Sequence, residues 1–237
     1  SAPDLAAAWE RVIAMVVQPG VDFDHSTVHH YDPQAATALS AFVETQPRIV
    51  FEAHSTDYQT EASLHALVRD HFAILKVGPA ATFAFREALF ALAAIEDELL
   101  PASERSQLLD VLDRRMVEHP AYWRNHYSGD EHQLRLLRRY ALSDRCRYYW
   151  GEPDVSAAVD RLIGNLQRHT PPLILLSQFM PEQHDEIVAG RLTPDPHALI
   201  QHKVFGRLAE YARACARNRA GARGENETSE ATALSER

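Results

Sequence analysis

The stretch IVFEAHSTDYQTEASLHALVRDHFAILKVGPA, Ile49 to Ala80, places two short apolar runs around a polar loop and one amphipathic segment. The runs, Ile49–Phe51 with its flanks and Ala73–Val77, are rich in β-branched residues and read as strands buried on both faces, as in a parallel sheet. Between them, Thr60–His71 brings Leu64, Leu67 and Val68 to one helical face. Working outward, Val12–Val17 (VIAMVV) supplies an earlier strand, and Asp32–Glu44 a helix with Pro33 at its first position. Thr82–Leu99 supplies a helix after the last strand. The order βαβαβα with short connections predicts right-handed parallel crossover units. Three such strands cannot close a barrel, so a barrel reading needs strands from a preceding segment or another chain.

After Pro101 the pattern turns helical throughout. Helices are expected over Glu104–Glu118 with Ser103 as N-cap, Gln133–Leu142, Val155–Gln167 and His197–Arg217. Thr170–Pro181, which opens on two prolines, is expected to be a loop. The last residues, Arg217–Arg237, are polar, lack period and are expected to be disordered. The chain opens without methionine and runs almost at once into an apolar segment, which suggests a piece of a longer protein.

Composition narrows the partners. With 24 Lys+Arg against 33 Asp+Glu the formal net charge is −9, and no basic run is present. Nucleic acid and anionic membranes are therefore poor partners. The two cysteines, Cys146 and Cys215, stand in no CxxC or Cys/His spacing, so neither a disulfide framework nor a zinc finger is implied and a cytoplasmic location fits. No P-loop pattern G-x-x-x-x-G-K-[ST] occurs.

Parallel α/β folds gather functional groups at the C-terminal ends of their strands. That rule selects Gln18 after the first strand, Glu52, His54 and Asp57 at the second, and Lys76 and Gly78 at the third. Strand alternation points Glu52 and His54 to one side, as a carboxylate/imidazole pair that could bind a divalent metal through His54, relay a proton, or form a hydrogen-bonded polar plug with Lys76. Lys76 inside an apolar strand reads either as a desolvated Schiff-base lysine or as the ion-pair partner of Glu52. The turn at Gly78 offers backbone N–H groups to a phosphate, with Gln18 and Lys76 as further phosphate contacts. His25, His29 and His30 fall in a polar loop, and the cluster from Arg138 to Tyr149 reads as an interface before a phosphate clamp.

The strings FEAHSTDYQT (Phe51–Thr60), LVRDHFAILKVGPAATFAFREALFALAAIEDEL (Leu67–Leu99) and SDRCRYYW (Ser143–Trp150) together resemble the GatZ/KbaZ family, non-catalytic subunits of D-tagatose-1,6-bisphosphate aldolase also labelled tagatose 6-phosphate kinases. VVQPGVDF (Val16–Phe23), WRNHYSGD (Trp123–Asp130) and LLSQFMP (Leu175–Pro181) extend the likeness. The resemblance implies an α/β fold: the C-terminal part of a TIM-like (β/α)8 barrel with about three parallel strands, followed by an all-helical extension. The implied layout is residues 1–100 as partial barrel, 101–216 as the helical extension packing on it, and 217–237 as tail. It also implies an accessory subunit serving a class II aldolase in galactitol and N-acetylgalactosamine catabolism. Zinc would sit in that catalytic partner and no cofactor in this chain; a homo-oligomer is a further possible assembly. The rival readings are a metal-dependent aldolase in its own right and a sugar-phosphate-binding barrel without catalysis.

Overall fold

The computed structural model describes the backbone of residues 3–235 and the side chains of residues 5–216. Residues 217–237, where the disordered tail is expected, lie outside those described with side chains. In chain order the elements are α1 (Pro3–Trp9), β1 (Ala14–Val16), β2 (Asp22–Phe23), β3 (Val28–His29), α2 (Thr37–Glu44), β4 (Val50–Ala53), α3 (Glu61–Arg69) and β5 (Phe72–Leu75). They continue with α4 (Ala80–Leu99), α5 (Leu108–Glu118), α6 (Glu131–Tyr140), α7 (Pro153–Arg168), α8 (Leu173–Phe179), α9 (Pro181–Val188) and α10 (Pro196–Ser235). Two compact units emerge, Ser1–Gly78 with Leu208–Arg237, and Pro79–Arg207. Patterning put the boundary after residue 100; the division falls instead at Gly78/Pro79. The reason is α4, whose Ala88, Leu89, Leu92 and Ile95 are buried in the helical core and not against the sheet.

In the first unit β1, β4 and β5 form a parallel sheet in the order β1-β4-β5, with Val16 opposite Glu52 and Glu52 opposite Ile74. One face is covered: Phe51, Ala53 and Phe72 pack with Val43 of α2, Leu64 and Leu67 of α3 and Ala214 of α10. The helix α3 starts where Thr60 accepts a hydrogen bond from the Ser63 N–H at 3.1 Å, an N-cap that satisfies one orphan donor. The strands were expected to be buried on both faces, and here the structure differs. Val16 is 56% exposed and Ile74 36%, so among the described residues their side of the sheet is left open. An apolar run reports that a strand is meant to be covered, not that the cover belongs to the same segment.

Two further expectations in this unit are corrected. Pro33 does not start α2, since Asp32 accepts the Gln34 N–H at 2.9 Å and shapes a turn, and the helix begins at Thr37. The histidine loop is partly ordered as an antiparallel hairpin, β2 against β3, with His29 in a strand. Tyr31, just beyond it, donates from its hydroxyl to Asp70 Oδ2 at 2.9 Å, while Arg69 Nε donates to Asp70 Oδ1 at 2.7 Å. Burial acts to raise the Asp70 carboxyl, but the hydrogen bonds from Arg69 and Tyr31 outweigh it and hold the group below the ordinary carboxylate range.

The second unit is helical, with no strand among its described residues. Its core joins Leu89, Leu92 and Ile95 of α4 to Leu112 and Met116 of α5 and Leu162 and Leu166 of α7. Beside that core lies a buried ion pair, Arg86 Nη1 to Asp144 Oδ1 at 3.2 Å, with side chains 3% and 0% exposed. Thr82 donates to Asp144 Oδ2 at 2.6 Å, and Arg86 also donates to the Ala141 carbonyl at 3.2 Å and lies over the Phe83 ring. Burial pushes the Asp144 carboxyl above the ordinary carboxylate range although Arg86 pulls the other way. The fully buried Cys146 thiol, 3.4 Å from Asp144 Oδ1, is pushed far up by burial and then by that carboxylate.

Helix ends depart from expectation where buried polar groups intervene. The helix α5 begins at Leu108 and not after Ser103, because the buried Glu96 carboxylate accepts both the N–H and the hydroxyl of Ser106, at 3.0 and 2.5 Å, and pins the preceding segment in an irregular path. The expected loop over Thr170–Pro181 contains α8, whose Leu176 is buried, and Pro181 then opens α9. No helix among the described residues is long and apolar enough to cross a membrane.

Two outcomes follow from these buried charges. Asp144→Ala strands the Arg86 guanidinium in the interior and should cost about 3–5 kcal/mol in urea unfolding, whereas a surface change such as Asp185→Ala should stay within about 0.5 kcal/mol. Because the folded-state pKa of Asp70 is depressed, its stabilisation is present above the unfolded value near 4 and is lost as pH falls through the folded value. The stability gap between the native chain and Asp70→Asn, followed by urea midpoints from pH 6 to pH 2.5, should therefore be constant above about pH 5 and shrink below about pH 4.

Candidate functional site

Alternation along β4 sends Phe51 and Ala53 into the core and leaves Glu52 and His54 on the open side of the sheet. They meet there as expected: His54 Nε2 lies 2.7 Å from Glu52 Oε1. Lys76, following β5, brings its ammonium to 3.8 Å from the same carboxylate oxygen. Their side chains are 21% exposed for Glu52, 38% for His54 and 62% for Lys76. Within this chain Lys76 is thus an exposed ion-pair partner of Glu52, the second of the two readings its sequence position allows.

Asp57 plays a different part. It is 1% exposed, and its two oxygens accept the Gly78 N–H at 2.9 and 3.1 Å. The backbone donor expected to cradle a phosphate at Gly78 is therefore already bonded to a carboxylate. Gln18 closes its own turn, donating from Nε2 to the Val21 carbonyl at 2.7 Å. The strand ends thus yield one acid–base pair with an adjacent lysine, while Asp57 and Gln18 fix backbone.

The loop between β4 and α3 is the least relaxed backbone in this unit. Ser55 and Tyr58 have φ of 55° and 61°, the left-handed region that costs non-glycine residues about 1 kcal/mol each. Several bonds hold it there besides Asp57 to Gly78. Thr56, fully buried, donates from Oγ1 to the Lys76 carbonyl at 3.0 Å, and Tyr211 of α10 donates to the Thr56 carbonyl at 2.8 Å. Gln59 accepts the Tyr31 N–H at 3.0 Å and donates to the His29 carbonyl at 2.9 Å, standing in for a strand partner. Arg213 of α10 donates to Glu61 at 2.9 Å. Sequence reading missed Thr56, Gln59, Tyr211 and Arg213. For Tyr211 no local signal exists, because it lies 155 residues from its partner.

As a metal site the pair is incomplete. Zinc takes three protein ligands when catalytic and four when structural. Among the described residues no group of three or more His, Cys, Asp or Glu is placed to hold a metal ion, so Glu52 and His54 could supply two ligands at most. The arginine cluster in the helical unit is committed to its own fold. Arg138 donates to Asp113 and to Glu131, each at 2.7 Å, with Trp123 under its guanidinium; Arg139 donates to Asp110 at 2.8 Å; Arg145 donates to the Tyr122 carbonyl at 2.8 Å.

Residues 1–216 match the family model described as D-tagatose-1,6-bisphosphate aldolase subunit GatZ/KbaZ-like. The chain belongs to that family. A crystal structure titled as a probable tagatose 6 phosphate kinase from Sinorhizobium meliloti 1021 superposes with a TM-score of 0.85 at 44% identity over 90% of this chain. The chain spans only 55% of that protein's length. For the GatZ/KbaZ-like chain the mixed α/β fold with a three-stranded parallel sheet is thus shared with a solved structure at substantial identity.

Removing the Asp57 carboxylate frees the Gly78 N–H and the strained loop together. Asp57→Ala should lower stability by about 2 kcal/mol in urea unfolding. Gly78→Ala should cost less than about 1 kcal/mol, since its new Cβ would meet Asp57 Oδ2 at an ordinary 3.5 Å.

Proposed function

We propose that this chain is part of an accessory, non-catalytic subunit of a class II D-tagatose-1,6-bisphosphate aldolase, acting in the breakdown of galactitol and N-acetylgalactosamine through tagatose 6-phosphate. The observation that carries the reading is the match of residues 1–216 to a family described as an aldolase subunit. On this reading Glu52, His54 and Lys76 form a polar group at the strand ends, and Asp57 holds the Gly78 backbone. The zinc of the reaction would belong to the catalytic partner, where it would supply Lewis-acid polarisation of the substrate carbonyl. This chain's contribution is protein contact.

On the same reading the open side of the β1-β4-β5 sheet faces the interior of a (β/α)8 barrel completed by strands outside this chain, with the helices after Pro101 as an extension. Parallel sheets are found covered on both faces, and the exposed Val16 and Ile74 fit that requirement. The helical unit offers the contact surface for the catalytic subunit or a second copy: the Tyr122 and Tyr148 rings stack at 4.9 Å and remain 49% and 44% exposed. Tyrosines so placed are favoured at interfaces. The kinase activity in the neighbour's description is said of that protein and is not part of this reading.

The test is cleavage of tagatose 1,6-bisphosphate by the full-length protein with zinc, alone and mixed with a class II catalytic subunit. The expected result is no turnover alone and higher activity or a longer half-life in the mixture. Zinc-dependent turnover by the protein alone, lost in His54→Ala, would establish the rival reading of a self-sufficient aldolase. Binding of tagatose 6-phosphate by the protein alone, with no effect on the partner, would establish a sugar-phosphate-binding barrel.

A further inference from the structure

A cavity of about 420 Å³ opens within the helical unit, against one face of α4. Phe83, Glu87 and Phe90 recur there at helical spacing, and Phe179 and Met180 at the α8–α9 corner form the opposite wall with Lys203 of α10. The volume suits a small molecule, and the walls carry four aromatic rings, Phe83, Phe90, Tyr140 and Phe179. One polar atom inside is buried without a hydrogen bond. Glu87 Oε2 is shielded from solvent and has no hydrogen-bond partner. Lys203 Nζ stands 3.8 Å from it and 3.6 Å from Glu182 Oε2, close enough for charge attraction and too far for a hydrogen bond. A shielded acceptor facing a donor across such a gap is an unmet pair, and buried polar atoms are ordinarily satisfied.

The charges in the cavity select its occupant. Its lining holds two cations, Arg86 and Lys203, and two carboxylates, Glu87 and Glu182. Arg86 is taken up by Asp144. Lys203, the cation left, is flanked by both carboxylates. An anionic ligand would approach Glu87 and Glu182 along with the lysine, and a cationic one would meet Lys203. A hydroxyl satisfies both partners at once, donating to Glu87 Oε2 and accepting from Lys203 Nζ. We propose that this cavity is a binding site for a small neutral ligand that presents a hydroxyl on a ring-sized apolar body, the ring against the phenylalanines and the hydroxyl bridging Glu87 and Lys203. The site is independent of the strand-end residues and of the aldolase reading.

The chain's three methionines give a local readout. Met180 lines the cavity, Met116 lies in the core and Met15 in the first unit, so ¹³C-methyl methionine spectra separate binding from general perturbation. Titration with benzyl alcohol, benzoate and benzylammonium, probes of one size and three charges, should move the Met180 signal with benzyl alcohol at concentrations at least about tenfold lower than with either ion, leaving Met15 and Met116 in place. Lys203→Leu and Glu87→Leu should each weaken benzyl alcohol binding by about five- to tenfold, the loss of one hydrogen bond. Unchanged Met116 signals report an intact core; should Lys203→Leu lose them, Glu87→Leu decides. An unmoved Met180 signal, equal binding of either ion, or unaltered affinity in an intact variant would overturn the proposal.

Discussion

Parallel strands must be joined by connections that carry the chain back to the same end of the sheet, and this constraint governs the first unit. It fixes the order β1-β4-β5, brings all three C-terminal strand ends to one edge, and requires a covering helix between β4 and β5, which α3 provides. Because side chains alternate along β4, the same geometry that buries Phe51 and Ala53 puts Glu52 and His54 together on the other side. The acid–base pair is thus a product of strand register. The connecting loop pays with two left-handed residues, and Asp57, Thr56 and Tyr211 hold it in that form.

In the helical unit the organising group is a carboxylate, not a sheet. Asp144 is removed from water together with Arg86, and α4 and the segment from Ala141 to Cys146 are oriented so that Thr82, Arg86 and Cys146 converge on it. Such an arrangement adds little net stability over apolar packing, but it penalises any other register of α4 against that segment. Glu96 acts similarly at the far end of α4, gathering Ser106 and Asn165. Buried acids therefore anchor both ends of α4.

Sequence patterning made the sheet and most helices legible because their signals are local. The VIAMVV and AILKV runs, the period of Leu64 and Leu67, and the pairing of Glu52 with His54 each follow from residues within one turn or one strand of each other. What escaped notice depends on distant partners. The start of α5 is set by Glu96, the closure of the site loop by Tyr211, and the allegiance of α4 by a core assembled from segments far along the chain. Lys76 shows the reverse error: an apolar neighbourhood in sequence suggested burial, yet the open side of the sheet leaves its ammonium in water. The apolar runs were read as strands covered twice, and the described residues cover them once.

The setting of the two thiols has a chemical corollary. Cys146 is enclosed, beside a carboxylate, and held as the neutral thiol by burial, whereas Cys215 is exposed on α10 next to the docked Ala214. Since the thiolate is the form that reacts, a thiol-directed reagent meets a chain with a single accessible thiol. Maleimide dyes, spin labels and glutathione would all mark the one helix whose Tyr211 closes the site loop, and in the native state they would leave the interior cysteine untouched.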